Sequence, residues 1–228
     1  MAGMRAGLVD TPSGRSMNID AVIGALERDG LMLLSDSMLP SLTWLVTGGP
    51  MHSSWWGHPQ GGEIYRLLTQ LTDHPDVLQA KLVDGKVTFV HRRLWPAVIA
   101  VGTAREVWQT QGLPVAAQFL LDMVEETGAM DWNEIPAFLP PSQTKSAEAI
   151  RHLEIRLLLH TSEVHTPSGR HAKALQTWSK WAIDVQVSTW PSPPVAKRQL
   201  EEALARLEHP HPTHAGLPWQ REVPSTFR

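Results

Sequence analysis

The sequence predicts a mainly α-helical chain with one small antiparallel β-hairpin, divided into an N-terminal unit that carries the hairpin and a C-terminal helical unit. Three observations predict it. Apolar residues recur at helical spacing through most segments between residues 18 and 207. The pair Asp84-Gly85 separates two strand-length runs, Leu78 to Val83 and Lys86 to Arg92, and Asp-Gly is a preferred pair for a two-residue hairpin turn. A proline-rich break at Pro136, Pro140 and Pro141 parts the halves. Residues 1–17 read as a mobile N-terminal segment, 18–135 as the first unit, 144–207 as the second, and 208–228 as an extended tail rich in Pro and His.

Each element has a local reason. Asn18 can cap a helix running to about Asp29, with Ile19, Val22, Ile23 and Leu26 on one side and Gly30 as its stop. Leu31 to Leu34 is a short buried strand or an extended connection. Pro40 suits the first turn of a second helix containing Leu42, Leu45 and Val46, which Gly48-Gly49-Pro50 ends. A third helix spans residues 60–73 through Ile64, Leu67, Leu68 and Leu71. After the hairpin, Pro96 opens a helix to about Gln111 and Pro114 another to about Thr127. In the second unit, residues 144–164, 168–186 and 194–207 read as helices, the middle one ending near the paired tryptophans Trp178 and Trp181.

The hairpin permits a finer expectation. A two-residue loop sets Val83 opposite Lys86, Leu82 opposite Val87, Lys81 opposite Thr88 and Ala80 opposite Phe89. Alternation then gives one face with Leu78, Ala80, Leu82, Val87 and Phe89, and another with Gln79, Lys81, Lys86, Thr88 and Arg92. That is an apolar underside beneath a cationic upper side.

The order of three helices and then a hairpin resembles that of winged-helix nucleic-acid-binding proteins. The resemblance implies phosphate contacts from Lys81, Lys86, Arg92 and Arg93, hydrogen bonds from Thr88, and a groove approached by Tyr65, Arg66 and Gln70 of the third helix. Trp55 and Trp56, in a loop bounded by Gly and Pro, are candidates for base stacking. Gln109-Thr110-Gln111 resembles the Gln-x-Gln motif of the bacterial winged-helix glycosylases that unhook alkylated or crosslinked bases. On that resemblance Gln109 and Gln111 join His58 and His91 as catalytic candidates. The segments Ser54 to Pro59 and Lys81 to Pro96 also resemble those of uncharacterised bacterial proteins, which implies one structural unit and no activity.

Composition limits the alternatives. With no cysteine, the chain has no disulfide, thiolate metal site or cysteine nucleophile. A formal net charge of −3 requires any nucleic-acid surface to be local, and the charges are segregated: six acids and no Lys or Arg from Glu106 to Glu134, six bases against Glu148, Glu154 and Glu163 from Lys145 to Lys180. No Walker loop, nucleophile elbow or dinucleotide fingerprint is present. His160, Glu163 and His165 resemble the H-x-x-E-H signature of some zinc peptidases, but Val164 displaces the second histidine, so no metal site is assigned and no cofactor is expected. Thr-Pro-Ser-Gly-Arg, at 11–15 and again at 166–170, reads as reused turn chemistry because its flanks do not repeat.

The expectation is a cytoplasmic DNA-binding protein of repair or regulation, with no membrane association. The alternatives are an enzyme built on a His-containing pocket, glycosylase-like or metal-dependent, and a protein-interaction module that binds a partner through its tryptophans and the C-terminal tail, with Trp219 or Phe227.

Overall fold

The computed structural model describes residues 17–131, 146–165, 171–208 and 214–221. It is mainly α-helical with small antiparallel sheets, as the sequence predicts, and no helix among the described residues is long and apolar enough to cross a membrane. The first unit runs α1 (Ile19–Asp29), β1 (Leu31–Leu33), α2 (Leu42–Thr47), α3 (Gly61–Thr72), β2 (Val77–Lys81) and β3 (Val87–His91). The caps of α1 and the end of α2 are those read from the sequence, whereas Pro40, expected in the first turn of α2, lies ahead of its cap. The Asn18 side chain accepts from the Asp20 N–H, and Gly30, at φ 88°, ends α1 in a left-handed conformation that leads directly into β1. Ser41 caps α2, whose end is Gly48 at φ 79°.

The three strands form one sheet in the order β1-β3-β2, all antiparallel. α1 and α3 pack on one face of it, and the hairpin β2–β3 follows α3 as the sequence predicts. Asp84 and Gly85 both have positive φ, 52° and 63°, and the Lys86 N–H donates to the Val83 carbonyl at 2.9 Å. The turn is therefore the expected type I′.

The expected register is not found. Lys81 pairs with Val87, Ala80 with Thr88, Gln79 with Phe89 and Leu78 with Val90, so Leu82 is an extra residue between the turn and the ladder. This bulge turns the Val83 N–H onto the Thr88 hydroxyl at 3.1 Å. A one-residue slip moves every side chain of one strand to the other face. Phe89 and Val87 consequently pack with α1 and α3, while Leu78 and Ala80 lie on the opposite face with Val90. Thr88, assigned to the cationic surface, is fully buried.

That opposite face is covered, too. A short turn, Arg92–Leu94, leads into α4 (Trp95–Thr103), which with the C-terminal α9 (Pro193–Glu208) packs on Leu31, Leu33, Leu78 and Val90. The helix expected from Pro96 to Gln111 breaks after Thr103 and resumes as α5 (Val107–Thr110), because Arg105 adopts φ 52°.

The second half contains strands where helices were expected. α6 (Val115–Thr127) is followed by β4 (Ala129–Asp131), α7 (Ser146–Ile155), β5 (His160–His165), β6 (His171–Gln176) and α8 (Trp178–Asp184). The new sheet has the order β4-β6-β5, again antiparallel. α7 stops before Leu157, which takes φ 51°. The carbonyls just beyond its end are bonded by distant side chains: Gln109 donates to Arg156 O at 3.1 Å, Trp178 to Leu157 O at 2.8 Å and Arg105 to Leu158 O at 3.1 Å.

The two halves therefore carry one topology. In each, a helix ends at a glycine of positive φ, Gly30 or Gly128, a three-residue strand follows at once, and a later helix leads into a hairpin whose second strand is central. Met32 in the first sheet and Met130 in the second occupy the same place, paired with Phe89 and Leu175. The edge strands β2 and β5 approach each other, and α4 packs on α8, so equivalent elements meet across the junction. Residues 214–221 of the expected tail fold back onto the first unit: Leu217 is buried, and Asp84 at the hairpin tip accepts from the Gly216 N–H at 3.0 Å and from Arg221 at 3.1 Å.

Candidate functional site

The first hairpin does not present free cations. Lys81 pairs with Glu154 of α7, Lys86 with Asp36, and Arg92 with Asp76 at 2.9 Å, while Arg93 donates to the Arg28 carbonyl at 3.0 Å. Asp36 is nearly fully buried. Burial pushes its carboxyl up, but the Lys86 ammonium and the Met38 and Leu39 N–H groups outweigh that and hold it below its ordinary value. With its tip tied to residues 216 and 221, the hairpin fastens the C-terminal segment and the second unit to the first.

The outer face of α3 is open. Tyr65, Arg66, Thr69 and Gln70 are exposed, and Arg66 donates to Gln70 at 2.9 Å. Trp56 lies beside them at 70% exposure, stacked on Trp55 at 4.1 Å and 6.0 Å from the ring of Tyr65. Trp55 itself belongs to the core, so only one of the two candidates for stacking reaches the surface. The corresponding helix of the second unit, α7, exposes Ala147, Glu148 and Arg151.

The catalytic candidates do not converge. Gln109 is fully buried and bonds the end of α7, whereas Gln111 is exposed and offers only its carbonyl, to Arg156 at 2.7 Å. His58 accepts from the Gln60 N–H at the start of α3. His91 is a buried residue at the end of β3, where its backbone N–H donates to Gly30 O; burial lowers the basicity of its ring. The polar stripe expected on one helix, from Glu148 to Glu163, is cut where α7 ends. Residues 160–165 are the strand β5 and not the end of a helix, and among the described residues no metal-binding cluster exists. The side chains of Glu163 and His165, and Phe227 of the tail, lie outside the described structure. Trp219 is taken up internally, donating to Glu201 at 2.7 Å with Lys197 5.7 Å from its ring.

What the sequence did not point to is a cavity of about 460 Å³ between the two units, along the facing edges of β2 and β5. The Lys81–Glu154 pair forms one side, with the Thr161 hydroxyl donating to the same carboxylate at 2.6 Å. Trp178 and Trp181 form the other, set edge to face with centroids 5.6 Å apart. Between them lies His160, 4.9 Å from Trp181 and 5.4 Å from Trp178. Its Nδ1 meets Gln176 Oε1 at 3.3 Å, and Gln176 in turn donates to Asp184 at 2.9 Å. Burial drives the imidazole pKa down to about 4, so the ring is neutral near pH 7. The paired tryptophans were the one visible signal; Glu154 and Gln176 gave none, because a Glu on a polar helix stripe and a Gln in a mixed segment look solvated. Comparison with protein-family models, with curated proteins and with solved structures finds no match to this chain.

Proposed function

We propose that the protein binds double-stranded DNA through the outer faces of α3 and α7, with the hairpin of the second unit in the role of a wing. The observation that carries this reading is the repetition within one chain of a helix-and-hairpin topology resembling the winged helix, with the helix ahead of the hairpin in each copy exposing its outer side among the described residues. Charge supports assigning the wing to the second copy. The first hairpin spends its cations on internal partners, whereas in the basic segment from Lys145 to Lys180 α7 exposes Arg151 and the sequence of β6 carries Lys173. On α3, Arg66 and Gln70 are of the types that reach phosphates and base edges, and Trp56 flanks them with an open ring.

Fluorescence anisotropy of the full chain with a labelled duplex tests it. Affinity is expected to fall steeply between about 50 mM and 200 mM salt, and Arg151→Ala/Lys173→Ala is expected to reduce the salt slope by about 1 for each phosphate no longer neutralised. Lys86→Ala, on the first hairpin, is expected to bind as the parent does. Absence of binding at the lower salt concentration, or an affinity indifferent to salt, would overturn the reading.

A further inference from the structure

The duplicated topology shows which residues depart from what the fold itself requires. In the first sheet the row facing α4 is Leu31, Val90 and Leu78, all apolar and buried. The matching row of the second sheet, facing α8, is Ala129, Gln176 and His160. An apolar cross-strand pair in one unit is thus a hydrogen-bonded polar pair in the other, at the same place in the same topology. Burying an imidazole where leucine suffices is costly, and such exceptions concentrate at sites of use.

The hydrogen bonds fix what His160 offers. Gln176 donates from its amide nitrogen to Asp184, which turns its carbonyl oxygen toward His160. That oxygen can only accept, so the ring proton sits on Nδ1 and Nε2 is left with a lone pair. Nε2 has no hydrogen-bond partner among the described residues, although His160 is only 6% exposed and lines the cavity. The depressed basicity of the ring keeps Nε2 an acceptor at neutral pH. The surroundings define the rest of a complement. Trp178 and Trp181, set edge to face and nearly buried, contribute apolar ring edges to the lining. Lys81 and Glu154 of the lining already neutralise each other, and the remaining charge of the lining, Asp73, is exposed at the end of α3, where solvent screens it, so a charged guest would find no counterion within the cavity. A cavity of this volume at the junction of two units is of the usual size and place for a small-molecule site.

We infer that the cavity between the two units binds a small, uncharged, planar heteroaromatic molecule that donates a ring N–H to His160 Nε2 and meets the ring edges that Trp178 and Trp181 turn toward the cavity. His160 and Gln176 belong to the hairpin read as the wing, but this site uses none of the side chains assigned to DNA, so the two readings are tested separately.

Benzimidazole and 1-methylbenzimidazole are suitable probes, since they share shape and ring acceptor and differ in the N–H. Titration of the full chain without DNA, followed by the indole resonances of Trp178 and Trp181 and the ring nitrogens of His160, is expected to show saturable binding of benzimidazole with a shift of Nε2. The methylated probe is expected to bind at least about tenfold more weakly, the discrimination typical of a buried acceptor left unpaired. His160→Leu/Gln176→Val, which copies the Leu78 and Val90 pair, is expected to stay folded and lose the difference between the probes. The inference is overturned if the folded parent protein shows no saturable response at millimolar benzimidazole, if the two probes bind equally, or if the double variant still discriminates between them. Since no DNA is present, either result leaves the anisotropy experiment to stand or fall separately.

Discussion

The two units differ less in backbone than in what each does with its hairpin and with the sheet row behind it. In the first, the hairpin is a structural clasp: its tip holds Gly216 and Arg221, Lys86 of its turn pairs with Asp36 and Lys81 of its edge strand with Glu154, and both sheet faces are covered by apolar side chains. In the second, the edge strand faces β2 across the cavity that both line, and the row behind it holds a histidine and a glutamine where the first has apolar residues. One topology can thus back its edge strand with an apolar row or with a polar one. The difference is carried by a few side chains, since the strand order and the glycine ahead of the first strand are the same in both.

The largest effect should come from breaking the clasp. Glu154 is almost fully buried with Lys81 as its ionic partner, so Glu154→Ala is expected to cost about 3–5 kcal/mol in urea unfolding by stranding the ammonium ion. Lys81→Met/Glu154→Leu should recover most of the loss, because a well-packed apolar pair replaces a desolvated ionic one. A loss below about 1 kcal/mol for Glu154→Ala would place the pair among ordinary surface bridges and erase this difference between the units.

Next in size is the acid response of the second unit. His160 has a folded pKa of about 4 against 6.5 unperturbed. Between those values the unfolded chain binds the extra proton, so the folded state loses stability as pH falls from about 6.5 to 4, by roughly 3 kcal/mol in all. His160→Leu/Gln176→Val should flatten that part of the stability profile, measured by urea midpoints across the range. An unchanged slope in the double variant would mean that the acid response arises elsewhere.

A smaller effect tests the junction. A Cβ at Gly102 of α4 would collide with the ring of Trp178, the residue that opens α8. Gly102→Ala must therefore push the two units apart or tilt the indole, at an expected cost of about 1–3 kcal/mol, with the near-UV circular dichroism of the tryptophans as the local readout. The smallest belongs to Lys86, which is half exposed; Lys86→Ala should cost about 1 kcal/mol or less, since Asp36 keeps the N–H groups of Met38 and Leu39. A cost nearer to that of Glu154→Ala would show that the first hairpin depends on Asp36 as heavily as on Glu154.

The first unit was largely legible in the sequence and the second was not, for a physical reason. Asn18 acts through a side-chain bond two residues away, Gly30, Gly48 and Asp84-Gly85 through their own backbone, and local chemistry is what a sequence displays. The end of α7 is set by Leu157 at positive φ, held by bonds from Gln109, Arg105 and Trp178, residues far away in the chain; nothing between Arg156 and His160 announces a stop. The Leu82 bulge was hidden for a similar cause, as it depends on the Thr88 hydroxyl across the hairpin and on apolar cover on both faces. The duplication left one sequence trace, a glycine directly before a short strand in each half. The repeated pentapeptide, read as turn chemistry and not as a duplicated domain, falls ahead of α1 in one case and between β5 and β6 in the other, so it does not mark the repeat; the repeated topology itself went unread in the sequence.

The hold of Gly216 and Arg221 on Asp84 spans 132 and 137 residues, and this has a consequence in time. Once β3 and α4 have been synthesised, the part of the sheet face of Leu31, Leu33, Leu78 and Val90 that α4 leaves bare awaits α9, which begins about 100 residues after β3, an interval of roughly 5–20 s at ordinary rates of translation. Contacts of such long separation are slow to close, and until they do an apolar sheet face stays open to whatever else is nearby. In the order of synthesis, the unit that begins the chain is the last to be finished.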